Sequence, residues 1–345
     1  MWQIGTEVCI FAGPYLTEEM ETRKGRFAPS PSGRMHLGNM FCALLSWLSA
    51  KSRGGKWLLR IEDLDPGRSR YEYARLIEDD LHWLGLDWDE GGIDADGGSY
   101  CQSRRGDIYE RELGRLMQTG LVYPCRCTRA DIMATQAPHL SDGHIVYSGK
   151  CRPAGIEDAG REGHTSYIYD WKGGERAASA RIFVSGGDIR FDDGHYGPQC
   201  IDPSRLCGDF VLRRADNAWA YQFAVVVDDA LMGVDEVVRG RDLLASAAQQ
   251  IYLYRLLGYR EPAFAHLPLL CNEKGERLCK RDRSLDMGEL RKTHSAEEIT
   301  GLLGCLAGLT EKAEACSPAS LVSLFDWKKV PLGDIRISPG TLPEL

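Results

Sequence analysis

Apolar residues at Leu37, Phe41, Leu44, Leu45 and Leu48 recur with the spacing that lines one face of a helix. The run follows Pro29-Ser30-Pro31-Ser32-Gly33, turn residues that end a short strand predicted over residues 24–28. It stops at Gly54-Gly55. Residues 57–61 (Trp-Leu-Leu-Arg-Ile) are mostly apolar, as expected of a strand buried on both faces. Strand, loop, helix and strand in this order make a βαβ unit. The loop after its first strand lies where doubly wound sheets bind nucleotides.

Two amphipathic stretches follow, near residues 71–84 and 104–119, and then an irregular, cysteine-containing segment over 123–152. Periodicity is weak from 155 to 208, a stretch rich in Gly, Asp and Arg, and it predicts no placed elements. Residues 209–214 and 220–227 read as a hairpin, with Tyr221 opening its second strand. Residues 235–239 read as a strand that Arg239 closes, and 243–257 as a helix. After Pro268-Leu269-Leu270 a charged loop, 272–283, leads into a helical tail.

The 345-residue length allows one large core and a smaller satellite domain. A net charge of -8 argues against a broadly basic nucleic-acid surface, so any RNA contact is confined to a local basic stripe. No apolar run is long enough to span a membrane. The apolar stretch near the N-terminus lacks a basic region before it, so residues 1–23 read as an added arm rather than a signal peptide. Twelve cysteines are scattered without the framework of a small secreted domain, which points to a reducing cytoplasm. There, a tight Cys-x-Cys pair suggests metal before disulfide.

Four clusters carry candidate chemistry. In Arg26-Phe27-Ala28-Pro29-Ser30-Pro31-Ser32-Gly33-Arg34-Met35-His36-Leu37-Gly38-Asn39, small residues let a ligand approach the backbone. His36 and Gly38 fall at a helix N-terminus, where N–H groups and the helix dipole favour phosphate. Glu62, at the end of the second strand, suits a ligand ammonium group, with a solvated pairing to Arg60 or Arg68 as the bland reading. Tyr221 and Arg239 form the second cluster. A guanidinium at a strand end grips a carboxylate in bidentate fashion, and a bridge from Arg239 to Asp228 or Asp229 is an equally weighted reading. The third is the cationic loop Lys274-Gly275-Glu276-Arg277-Leu278-Cys279-Lys280-Arg281, suited to a triphosphate that gains charge during reaction, although most such runs are merely solvated. The fourth is Cys125-Arg126-Cys127 with Tyr147-Ser148-Gly149-Lys150-Cys151. Three thiolates and one more donor satisfy tetrahedral zinc. On chemistry alone His144 and His139 compete with Tyr147 for the fourth place.

Taken together, these clusters resemble the catalytic half of the glutamyl-tRNA synthetase family. Residues 26–39 resemble its HIGH region, residues 57–65 its following strand, and Arg277-Leu278-Cys279-Lys280-Arg281 occupies the KMSKS place. Asn39 stands in place of the second histidine of HIGH, and Arg277 and Cys279 replace the first lysine and the serine of KMSKS. The resemblance runs from about residue 24 to 290 in the family's order. It implies an α/β class I synthetase fold, with a Rossmann-like parallel sheet over 24–258, a zinc-containing insertion at about 121–155, and a KMSKS loop and small helical domain over 259–345. It implies that Arg26, Phe27, Ala28, Pro29, Ser30, Glu62, Tyr221 and Arg239 contact glutamate. ATP is expected against His36, Gly38, Asn39 and Lys280, with His36 and Lys280 stabilising charge. The similarity is closer to a shortened branch of the family. That branch's Cys-x-Cys … Tyr-x-x-x-Cys pattern makes Cys125, Cys127, Tyr147 and Cys151 the expected ligands of one structural Zn2+.

What the resemblance implies is ATP- and Mg2+-dependent formation of glutamyl-adenylate without tRNA. Transfer of glutamate to queuosine in the anticodon of tRNA(Asp) then follows. A monomer with no DNA or membrane partner is expected. The chain ends soon after the KMSKS place, where longer members continue into anticodon-binding domains, so none is expected here. Two alternatives are a truncated enzyme charging a tRNA 3′ end and a catalytically silent paralogue that binds RNA or a partner.

Overall fold

The computed structural model describes residues 23–128, 130–131, 146–159, 177–278 and 285–337. Its centre is the predicted βαβ unit. Strand β1 (Lys24–Phe27) leads through the Pro/Ser/Gly loop into helix α1 (Leu37–Lys51), which returns to β2 (Lys56–Leu59), parallel to β1. Helix α1 is buried nearly all round, including Leu37, Phe41, Leu44, Leu45 and Leu48. Each such side chain contributes about 1.5–3 kcal/mol of burial, and Leu44→Ala would cost about 2–5 kcal/mol. The helix ends at Lys51, and the chain turns away at Gly54, whose φ of +66° suits glycine. The next residue must also be glycine for another reason: a Cβ on Gly55 would lie 2.4 Å from the Arg23 carbonyl oxygen.

Beyond β2 come helix α2 (Tyr71–Leu84), strand β3 (Glu90–Gly91) and helix α3 (Gly106–Gln118), close to the predicted amphipathic stretches. Strand β4 (Val122–Cys125) pairs antiparallel with β5 (Ser179–Ile182), and β5 with β8 (Phe210–Arg213), to form a separate three-stranded sheet. Strands β6 (Ile189–Asp193) and β7 (Gly197–Ile201) form a hairpin in the stretch the pattern left unplaced.

Residues 220–227 are not the second strand of a hairpin. They lie in helix α4 (Tyr221–Leu231), and Tyr221 opens that helix. The run Phe223–Asp229 is buried throughout, so no polar face reveals the helical period, and three successive valines mimic a strand. Tertiary burial overrides their propensity.

Strand β9 (Glu236–Gly240), helix α5 (Leu244–Leu257) and β10 (Ala263–Leu267) complete the main sheet. Its order is β3-β2-β1-β9-β10-β6-β7, parallel except for the β6–β7 hairpin at the edge. The connection reverses direction at β1, between β2 and β9, which opens a crevice at the carboxyl ends of β1 and β9. A short pair, β11 (Leu270–Cys271) and β12 (Ile335–Arg336), follows. Helices α6 (Met287–Thr293) and α7 (Ala296–Leu306) bury Met287, Leu290, Ile299, Leu302 and Leu303 in the same apolar cluster as α1. No described helix is long and apolar enough to cross a membrane.

Candidate active site

A cavity of about 350 Å³ opens in the crevice. Arg26, Phe27, Ala28, Pro29 and Ser30 line it where β1 leaves the sheet, and Glu62 from just beyond β2, Tyr221 from α4 and Arg239 from β9 line it too. His36, Gly38 and Asn39 complete it at the start of α1. All but one of the residues expected to meet glutamate or ATP thus converge. The exception, Lys280, lies outside the described residues. A neighbouring cavity of about 800 Å³ shares Ser30, Ser32, Glu62 and Tyr221 with the first.

The charges in the cavity are buried and ordered. Arg26 donates from Nη1 to the Val238 carbonyl at 3.1 Å and lies 3.5 Å from an Asp229 oxygen. The atom nearest Asp229 is its buried Nε, which makes no hydrogen bond, so the guanidinium is held beside the aspartate without a direct bond there. Glu62 lies 3.2 Å from Arg60, in part the bland pairing considered for it, yet it still faces the cavity. Burial pushes the Glu62 carboxyl above its ordinary range, and Arg60 and Arg26 oppose that shift.

Arg239 does not bridge to Asp228 or Asp229. It donates from Nε to His266 Nε2 at 3.0 Å, from Nη1 to Gln250 Oε1 at 2.8 Å and from Nη2 to the Leu243 carbonyl at 3.1 Å. Asp228 instead takes Arg105 at 2.6 Å, Tyr109 at 2.7 Å and Gln102 at 2.8 Å, and Asp229 takes Arg60 at 2.6 Å. Burial lowers the Arg239 pKa and raises that of the Tyr221 hydroxyl, leaving a cation beside a neutral phenol. Gln250 and His266 carry no expectation from the sequence, and Arg60 enters there only as a solvated partner of Glu62, whereas it is fully buried. The available signal was a histidine inside the otherwise apolar strand Ala263–Leu267.

His36 is the N-cap of α1. Its Nδ1 accepts the Gly38 N–H at 3.1 Å, and its own N–H donates to Asn39 Oδ1 at 3.0 Å, a reciprocal capping box. The Gly38 N–H expected to meet phosphate is therefore occupied by the histidine ring. With Nδ1 accepting, the proton of a neutral ring sits on Nε2, where it is a donor. Arg277, which stands for the first lysine of KMSKS, lines the cavity and pairs with Asp242. Cys42 lines it too, with burial pushing its thiol up to about 11, so it stays a neutral lining group.

The cysteine cluster lies outside this cavity, between β4 and the segment 146–159. The sulfurs of Cys125, Cys127 and Cys151 lie within 4.8 Å of one another. Cys127 and Cys151 are 3.5 Å apart, and Tyr147 Oη lies 3.5 Å from Cys125 and 3.8 Å from Cys127. Sulfurs bound tetrahedrally at about 2.3 Å from zinc stand roughly 3.8 Å apart, so these residues fit the ion. The Cys151 N–H donates to Tyr147 Oη at 2.8 Å, and Arg181 stacks 3.9 Å over the Tyr147 ring. His139 and His144 lie outside the described residues.

Residues 23–331 match the family model described as tRNA synthetases class I (E and Q), catalytic domain. The chain is 47% identical over 311 residues to the glutamyl-Q tRNA(Asp) synthetase of Nitratidesulfovibrio vulgaris, covering 89% of this chain and 93% of that one. It is 44% identical over 326 residues to the enzyme of the same name from Symbiobacterium thermophilum, covering 93% and 98%. Among solved structures, a glutamate tRNA ligase from Elizabethkingia meningosepticum, in complex with its amino acid, superposes with a TM-score of 0.74 at 26% identity. That superposition covers 93% of this chain and 68% of the other. With the parallel sheet, the crevice at its switch point and a family match over nearly its whole length, the chain belongs to the class I tRNA synthetases of the E and Q type, and it is a ligase.

Proposed function

We propose that this enzyme activates L-glutamate with ATP, without tRNA, and then transfers the glutamyl group to queuosine in the anticodon of tRNA(Asp). The observation that carries the first half is the convergence of Arg26, Glu62, Tyr221 and Arg239 on one cavity beside the start of α1. Two guanidinium groups suit the two carboxylates of glutamate, and Glu62 suits its ammonium group. Phe27, Ala28, Pro29 and Ser30 bring backbone close to the bound amino acid. Glutamine would leave a buried guanidinium without its charge-assisted partner, at a cost of about 3–5 kcal/mol.

In the reaction, a glutamate carboxylate oxygen attacks the α-phosphorus of ATP in line. The bond to the bridging oxygen breaks, and pyrophosphate leaves. His36 Nε2–H and Lys280 stabilise the charge that builds on the phosphate oxygens, while Gly38, which has no side chain, lets the nucleotide approach the start of α1 beside Asn39. Magnesium, bound with ATP, neutralises phosphate charge. No protein nucleophile is needed. A hydroxyl of the queuosine ring then attacks the mixed anhydride, and AMP leaves. The neighbouring cavity shares Glu62 and Tyr221 with the amino-acid site and offers this acceptor a route to the anhydride. The names of the relatives support queuosine as that acceptor. Cys125, Cys127, Tyr147 and Cys151 would hold one zinc ion, and with four protein donors its role would be structural.

The test has two arms. Glutamate-dependent exchange of pyrophosphate into ATP in the absence of tRNA is expected, and its absence would refute activation. Radiolabelled glutamate should then pass to tRNA(Asp) bearing queuosine and not to the same tRNA lacking it. Charging of the latter would point to a 3′-end synthetase instead.

A further inference from the structure

Three adjacent strand ends place a row of polar side chains behind the amino-acid site. Arg239 on β9 and His266 on β10 are direct partners in the parallel register, and Asp193 closes β6, the next strand. All three are buried, with exposures of 4%, 0% and 3%. Arg239 Nε donates to His266 Nε2 at 3.0 Å, and His266 Nδ1 lies 2.5 Å from Asp193 Oδ2. Asp193 is itself fixed by the backbone N–H groups of His195, Tyr196 and His266.

The protonation pattern follows from the donors. A guanidinium only donates, so His266 Nε2 must accept and carries no proton. Nδ1 then carries the proton and donates to Asp193. A doubly protonated ring would set N–H against N–H at Arg239. Burial, aided by Arg239, lowers the His266 pKa and keeps the ring neutral. The bond at Nε fixes the plane of the guanidinium over the Phe264 ring, whose centroid is 5.3 Å away. Gln250 and the Leu243 carbonyl take one N–H from each terminal nitrogen, and the rest of the fork is left to Tyr221 and a ligand.

We propose that His266 and Asp193 are positioning residues that set the plane of the Arg239 guanidinium, and thereby the enzyme's preference for glutamate over glutamine. Neither touches the cavity, so they act only through Arg239. The inference rests on the glutamate reading given above. It differs from a mere structural role in one respect: what matters is an acceptor at the position of Nε2, not the shape of the ring.

The experiment compares His266→Asn with His266→Gln by glutamate-dependent pyrophosphate exchange, with the ATP requirement and the unfolding midpoint measured alongside. Asparagine can reach Asp193 but leaves Arg239 Nε without an acceptor. Glutamine reaches far enough to supply one. His266→Asn is expected to raise the KM for glutamate about 10- to 100-fold, to leave the KM for ATP within about twofold, and to narrow the glutamate-to-glutamine preference. His266→Gln is expected to restore most of the loss. Equal impairment of the two variants, or a loss shared equally by glutamate and ATP, would overturn the assignment, as would unchanged glutamate kinetics in His266→Asn. If either variant does not fold, Asp193→Asn tests the same row: the backbone N–H groups of His195 and Tyr196 hold its amide oxygen, which turns the NH2 toward His266 and no longer favours the Nδ1–H tautomer; unchanged discrimination there also overturns it. Wild-type protein with no glutamate-dependent exchange would overturn the glutamate reading itself, a result separable from failure of the positioning row.

Discussion

The Arg60 guanidinium meets the Asp229 carboxylate at 2.6 Å, with side-chain exposures of 0% and 2%. Glu62 lies 3.2 Å from the same guanidinium, so one cation ties the site's acidic residue to the buried aspartates of α4. Asp228 adds a contact at 3.8 Å and reaches outward to Arg105 and Tyr109. The proposed glutamate site therefore stands on a buried ionic cluster.

Removing the cation should leave uncompensated buried carboxylates. Arg60→Met is expected to lower stability by about 3–5 kcal/mol, seen as a fall in the urea midpoint with an unchanged slope. A midpoint equal to the wild-type value would show that the aspartates find other partners and that the cluster is not organised by Arg60.

Glu62 should show the opposite balance, with function gained at the expense of stability. Burial holds its carboxyl above the ordinary range, against the pull of Arg60 and Arg26. Between the ordinary value and the raised one, the folded chain binds more protons than the unfolded chain. Stability therefore falls as pH rises through that window, and the cost of the ionised group is full above it. Glu62→Gln is expected to have an unfolding midpoint at neutral pH equal to or above wild type, and that gap should close as pH drops below the window. Its KM for glutamate should rise at least about thirtyfold, the lower end of a buried charge pair's loss of about 2–5 kcal/mol. Unaltered glutamate affinity would reject the ammonium role.

Much of this site was legible because its residues cluster in short segments at element ends. Arg26 to Asn39 reads as strand end, loop and helix start, and turn chemistry with helical spacing is enough to place it. Arg239 closing a strand was legible for the same reason. What was hidden was long-range. Nothing in the spacing ties Asp193 to His266, 73 residues away, because cross-strand partners follow from sheet order. Helix α4 was hidden by its own burial: with both faces inside, Val225-Val226-Val227 offers no polar face from which to count a period. The interleaved partners of Asp228, which come from residues 102, 105 and 109, were equally out of reach of local pattern.

The cysteine cluster makes a separable prediction. One zinc per chain is expected by metal analysis, and a chelator should lower the unfolding midpoint of the wild type, since an ion bound only by the folded chain stabilises it. Cys127→Ser should release the metal and make the midpoint insensitive to chelator. Tyr147→Phe keeps the ring beneath Arg181 and removes only the oxygen. It should weaken zinc by at least about 10–100-fold, the range found for groups that merely support metal ligands. Because none of the four residues lines the active cavity, pyrophosphate exchange should suffer less than stability. Full zinc occupancy in Cys127→Ser would reject this ligand set.

His36 has two tasks that one substitution can separate. Its Nδ1 caps α1 through the Gly38 N–H, and the proton on Nε2 is the group proposed to meet the phosphate. Asparagine is among the best N-cap residues, so His36→Asn should keep the helix start while deleting the donor. The unfolding midpoint is therefore expected to stay near wild type, within the ~0.5–1 kcal/mol typical of cap changes. The exchange rate should fall by about 10²–10³, the usual loss for one donor to developing charge. Glutamate affinity, read from protection against unfolding without ATP, should not move, because the proposed partner of the histidine is the nucleotide phosphate and not the amino acid. A variant that lost stability and glutamate binding together, with little change in rate, would assign His36 to the architecture of the loop instead of to the chemistry.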